Sequence, residues 1–97
     1  MRTIAILPLG ELDLLEIWHY IAARNFAAAN RVTAEIERTI IGLGEMPGKG
    51  HRRADIDDTH VRCWSVYSYV IIYRFDNSSL TVLRIVHGAR DFGKLFP

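Results

Sequence analysis

Apolar and polar residues change period along this chain in a way that separates helices from strands. Residues Arg2 to Leu7 form a short run of β type. Pro8 ends it and suits the first position of a helix, where a missing N–H costs nothing. Leu7, at the cap position, offers no side-chain acceptor. Glu11 and Asp13 partly compensate, because carboxylates in a first turn suit the positive end of the helix dipole. Leu14, Ile17, Trp18, Ile21 and Ala22 then recur at helical spacing, which predicts an amphipathic helix over 8–24. Asn25 reads as the cap of a second helix that starts at Phe26. Its apolar positions, Ala29, Val32, Ile36, Ile40 and Leu43, again step by three and four. Arg31 and Glu35 stand four apart on its outer face as a weakly stabilising pair. Gly42 and Gly44 weaken its last turns, and Pro47-Gly48 with Gly50 stops it. So short a link between helices folds them into an antiparallel hairpin.

A polar loop over 48–60 follows, Gly-Lys-Gly-His-Arg-Arg and then Asp55, Asp57 and Asp58. After it the period drops to two. Val61 to Val66, Tyr69 to Phe75 and Leu80 to Val86 alternate and are rich in β-branched and aromatic residues. Tyr67-Ser68 and Asp76-Asn77-Ser78-Ser79 are turn-sized breaks, so the three strands form an antiparallel meander. Neither hairpin nor sheet can bury its apolar face alone. The expectation is an α+β domain, strand then helical hairpin then meander, with the helices packed on one face of the sheet.

With 97 residues the chain suits a single domain, 1–97. A body of this size buries a modest share of its surface, so a partner can add stability. Hydrophobic residues make up 49% of it, enough for a core. The lone Cys63 can form no internal disulfide and lacks the companions of a thiolate metal site, which fits a reduced, cytoplasmic protein. The longest later apolar run, Tyr69 to Tyr73, falls far short of the ~20 residues of a membrane helix. Net charge is only +1, against a purely electrostatic nucleic-acid binder. Residues 1–46 carry four Lys/Arg against six Asp/Glu, whereas residues 47–97 carry eight against five. An anionic ligand or acidic surface would therefore dock on the second half.

Several local motifs, in this order, resemble the ParE toxins of the RelE/ParE superfamily. The first helix reads Asp13-Leu14-x-x-Ile17-Trp18-x-Tyr20-Ile21-Ala22, with Leu7 where the family usually has Ser before Pro. The Ala-rich start of the second helix and its Met46-Pro47-Gly48 end fit as well, as does Tyr69-x-x-x-Tyr73-Arg74. The most telling stretch is Leu83-Arg84-Ile85-Val86-His87-Gly88-Ala89-Arg90-Asp91, similar to the family's last strand and exit. The resemblance implies a toxin of a type II toxin–antitoxin pair. It implies a ParD-like antitoxin, a ribbon-helix-helix DNA-binding part with a flexible tail that wraps the toxin in a hetero-oligomer. It also implies DNA gyrase as the target, poisoned by contact. RelE-type relatives instead cut mRNA on the ribosome.

The two activities make different demands. Metal-free cleavage through a 2′-hydroxyl needs a base, an acid and cations around the phosphate. His87, Arg84, Arg62 and His51 are the candidates, His87 because its ordinary pKa lies near neutrality. Strand alternation puts Arg84 and His87 on opposite faces. The plainer alternatives are a strand-end His87, an Arg84 that bridges to an Asp, and a solvated loop around Lys49, Arg52 and Arg53. A charge of +1 suits a ribosome-bound nuclease poorly, so the gyrase-directed reading is preferred and no catalytic residue is assigned.

On that reading Arg84, His87, Arg90, Phe92, Lys94 and Phe96 form the target surface, since Arg and aromatics are enriched at hot spots. The alternative is that Phe92, Leu95 and Phe96 fold back on the domain. Trimming 92–97 is expected to abolish toxicity while the antitoxin still binds. Leu12, Leu15, Trp18 and Tyr20 make the first helix more apolar than one core stripe requires, so they are the expected antitoxin face. Deep burial is the competing expectation for Trp18. With no dinucleotide-loop, P-loop or zinc motif, no cofactor or metal is expected. The second helix has no basic stripe, so DNA binding is left to the partner.

Overall fold

Pro8 and Asn25 punctuate the first half of the chain as their chemistry demands. The computed structural model describes residues 2–53 and 60–88. Strand β1 spans Thr3–Ile6 and helix α1 spans Pro8–Ala22, two residues shorter at its end than the apolar period suggested. Leu7 makes no side-chain cap hydrogen bond. Asn25 does: its side-chain oxygen accepts from the Ala28 N–H at 2.9 Å, opening helix α2, Phe26–Glu45. A single 3₁₀ turn, Pro47–Lys49, follows. Strands β2 (Val61–Val66), β3 (Tyr69–Phe75) and β4 (Ser79–His87) complete the order among the described residues. On α2, Glu35 pairs with Arg38 rather than with Arg31.

The sheet runs β1-β4-β3-β2, with β1 parallel to β4 and the meander antiparallel. Two tight links fix the meander's register. Tyr67, in the two-residue link before β3, has φ 54°. In the second link the Asp76 carboxylate accepts from the backbone N–H groups of Ser78 and Ser79, both at 2.8 Å, and from their hydroxyls. Those four donors hold its carboxyl below the usual carboxylate range.

A bulge at Leu83 sets which β4 side chains meet the helices. The β3–β4 register passes from Ile72↔Arg84 to Tyr73↔Val82, leaving Leu83 as the extra residue. Leu80 and Val82 face the helices before it, and Ile85 faces them after it. They join Ile17, Ile36, Ile40, Leu43, Val66, Ile71 and Tyr73 in the main core. On the sheet's other face, Val61, Cys63, Ile72 and Val86 form a second buried cluster. Cys63 is thus a small buried strand residue.

β1 is shorter than β4 and covers only part of its edge. β1 pairs only with Ser79 to Val82, and Leu7 donates its N–H to the Val82 carbonyl at 2.9 Å. Beyond Val82, β4 continues to His87 with no strand on that side among the described residues. Helix α1 lies there instead. Gly10 permits its approach: a Cβ at that position would stand 3.0 Å from Ile6 Cγ2 and 3.5 Å from the Leu83 carbonyl.

Candidate functional site

The hairpin leaves a groove between α1 and α2. It encloses about 230 Å³ and is lined by Glu11, Leu14, Leu15, Trp18, Thr33 and Glu37. Helical spacing explains the lining: Glu11, Leu15 and Trp18 follow one another by four and three on α1, as Glu37 and Thr33 do on α2. The Trp18 indole N–H donates to Asn30 Oδ1 at 2.8 Å, and its ring meets Phe26 at 5.5 Å. Trp18 is therefore a half-buried wall of the groove and not a deep core residue. Its N–H needs a partner, and Asn30 supplies one only at the surface.

Of the four expected antitoxin residues, the structure brings two into this groove. Leu15, 53% exposed, and Trp18 line it. At ~100° per residue Leu12 stands about 60° round the helix from Leu15, on the outer crest, where it is exposed. Tyr20 lies about 140° round from Leu15 and points away from the groove; it is the most exposed large apolar residue described. The hairpin thus offers a cleft with an apolar crest (Leu9, Leu12) beside it.

The expected nuclease residues do not converge. Arg84 turns to α1, where Nε and one terminal nitrogen donate to the two oxygens of Asp13 at 2.7 and 2.9 Å. Asp13 Oδ2 also accepts the Ile85 backbone N–H at 2.9 Å. That N–H points out of the β4 edge that β1 is too short to cover, so Asp13 takes the place of a missing strand carbonyl. Arg84 does bridge to an Asp, but the Asp belongs to a helix. Paired positions share a face, so Arg84 lies on the Ile72 side and His87, opposite Tyr69, on the helix side. The two faces are those that alternation gives. His87 contacts the Tyr69 ring edge-on at 5.9 Å, and its Nδ1 is buried without a hydrogen-bond partner among the described residues.

His51 and Arg62 sit at the other margin of the sheet. His51 exchanges two backbone hydrogen bonds with Cys63, both 2.8 Å, which extends the sheet beyond β2 for one residue. Its ring lies parallel to Trp64 at 5.7 Å, and Lys49 Nζ sits 4.9 Å from the Trp64 ring centre. Arg62 lies over Phe75 at 5.7 Å. The register puts Arg62 opposite Tyr73 and Val82, and His87 opposite Tyr69 and Val66. Strand spacings then separate the Arg62 and His87 backbones by about 16 Å. Arg90, Phe92, Lys94 and Phe96 lie outside the described residues. Among the described residues no group of three or more His, Cys, Asp and Glu comes together as a metal cage would require.

Two residues that shape this region carry little sequence signal. Asp13 reads as a helix-dipole residue, yet it stands four before Ile17, on the stripe that buries. Tyr73 reads as a strand aromatic, yet its hydroxyl donates to the Pro47 carbonyl at 2.5 Å and accepts from the Gly50 N–H. It thereby fastens the turn after α2 to the sheet. Burial pushes the Tyr73 phenol above its ordinary value, against the lowering effect of the Gly50 N–H and of Arg62. Gly50 is required by that contact: a Cβ there would stand 2.0 Å from the phenol oxygen.

A helical hairpin closed over a four-stranded sheet with a parallel edge strand, and a cleft between its helices, defines a small α+β domain. A family model described as "ParE toxin of type II toxin-antitoxin system, parDE" matches residues 5–92. The chain belongs to this ParE toxin family. Among solved structures it is similar in fold to a chain of the "Chromosomal ParDE TA system from P. aeruginosa". That chain gives a TM-score of 0.73 at 19% identity, covering 90% of this chain and 96% of that one. No curated protein matches the chain. No helix among the described residues is long and apolar enough to cross a membrane.

Proposed function

We propose that this toxin is neutralised by a ParD-like antitoxin whose tail seats in the α1–α2 groove, and that it acts on DNA gyrase by protein contact rather than by cutting RNA. The observation that carries the second half is the Asp13–Arg84 clasp. A nuclease of the RelE kind needs cations free to move onto a phosphate and an acid or base beside them. Here Arg84 is held by both oxygens of a buried carboxylate, on the opposite face of β4 from His87. The groove supports the first half. Its lining combines exposed leucine, an oriented indole and two carboxylates, the mixture that receives an amphipathic segment.

The test is a direct comparison of two purified assays. Added to gyrase and supercoiled plasmid with ATP, the toxin is expected to inhibit supercoiling and to trap cleaved DNA, and the antitoxin should reverse this. Added to a translating extract, it should leave mRNA intact. Codon-dependent mRNA cuts with unaffected gyrase would replace this reading with the endonuclease.

A further inference from the structure

The groove is not electrically neutral, and its carboxylates lie at one end. The Trp18–Asn30 hydrogen bond fixes which turns of the two helices face each other. Seven residues back along α1 stands Glu11, and seven residues forward along the antiparallel α2 stands Glu37. Both are exposed, both line the groove, and neither carboxylate has an ion pair or hydrogen bond among the described residues. Seven residues of helix span about 10.5 Å. The cleft therefore has an apolar end at Trp18 and an anionic end two helical turns away, with Leu15 between them.

We infer that this groove selects an antitoxin segment that carries a bulky apolar anchor and a Lys or Arg about 10 Å from it. In a helical segment that is a spacing of seven residues, and in an extended one a spacing of three. The inference rests on the reading that the antitoxin tail occupies the groove, and it adds the chemistry of the occupant. Apolar surface alone would admit any amphipathic helix. Two carboxylates lining the same groove raise the cost of an acidic neighbour and reward a cation, which is discrimination built from repulsion as well as attraction. Because both side chains reach solvent, the discrimination weakens as salt rises.

The experiment uses the ¹⁵N-labelled full chain and two Trp-free helical peptides. They share one apolar stripe with a Phe anchor and differ only in Lys or Glu seven residues from it. The Trp18 indole N–H resonance reports occupation of the groove. At low ionic strength the Lys peptide should bind at least tenfold more tightly than the Glu peptide. The preference should invert in a Glu11→Lys, Glu37→Lys double variant, whose exposed helical positions leave the fold intact by circular dichroism. Equal binding of the two peptides overturns the charge rule and leaves the groove as the docking site. If neither peptide shifts the Trp18 resonance while the antitoxin still binds the toxin elsewhere, the docking reading falls and the charge rule with it.

Discussion

Replacing Asp13 by alanine removes three hydrogen bonds at once. Its side chain is 10% exposed and that of Arg84 28%. Two of the bonds are to the guanidinium and one is to the backbone of Ile85, a residue 1% exposed. Stranding a buried N–H costs about 1–3 kcal/mol, and breaking a buried ion pair by removing one partner costs about 3–5 kcal/mol in all. Arg84 can turn part of its guanidinium to water, which places the expected loss near the lower bound, ~3 kcal/mol. For a domain of this size each kcal/mol moves the melting temperature by about 4–8 °C, so the midpoint should drop by roughly 12–24 °C. Asp13→Asn keeps an oxygen for the Ile85 N–H and one bond to Arg84, and should lose about half as much free energy. The assay is urea unfolding followed by far-UV circular dichroism and tryptophan fluorescence, with coincident transitions as the check on two-state behaviour. An Asp13→Ala variant within about 0.5 kcal/mol of the parent would falsify the clasp. An Asn variant as damaged as the Ala variant would show that charge, not closure of the β4 edge, carries the effect.

Gly50→Ala forces a methyl into the space of the Tyr73 hydroxyl and should cost about 2–3 kcal/mol in the same assay. Tyr73→Phe should cost about 1–2 kcal/mol, and it should also remove an alkaline effect. The raised phenol favours the folded state fully below the ordinary tyrosine value, near 10, and that support is lost as pH rises through the folded value. Asp76 has the opposite sign. Its lowered carboxyl supports the fold above the unfolded value, near 4, and the support fades as pH falls through the folded value. Wild type and Asp76→Ala should therefore differ at neutral pH and converge in strong acid, as urea midpoints measured from pH 2 to 7 would show. Leu15→Glu should weaken antitoxin binding at least tenfold by titration calorimetry while the fold survives, because Leu15 is an exposed groove residue; unchanged affinity would remove it from the interface.

Periodicity and local chemistry determined the elements of this protein. Asn25 stops one helix and caps the next, Pro8 and Pro47 mark ends, and alternation from Val61 to Val86 yields three strands with their turns. Each of these is decided within a few residues, by spacing or by a single hydrogen bond, so a linear reading suffices. The resemblance of the last strand and first helix to ParE toxins was legible in the same way, and the family match bears it out. Where β1 docks, and what fills the space beyond it, was not. The parallel β1–β4 pairing joins residues more than seventy apart, and the four-residue length of β1 matters only against the nine of β4. That shortfall turns Asp13 from a dipole residue into the acceptor for an open strand edge and takes Arg84 out of the pool of free cations. Trp18 likewise reads as core by spacing and becomes a groove wall because Asn30, on the neighbouring helix, holds its N–H at the surface. A side chain's period fixes the face it occupies, but its polar atoms answer to groups far off in the chain, and only the assembled fold brings those groups within bonding distance.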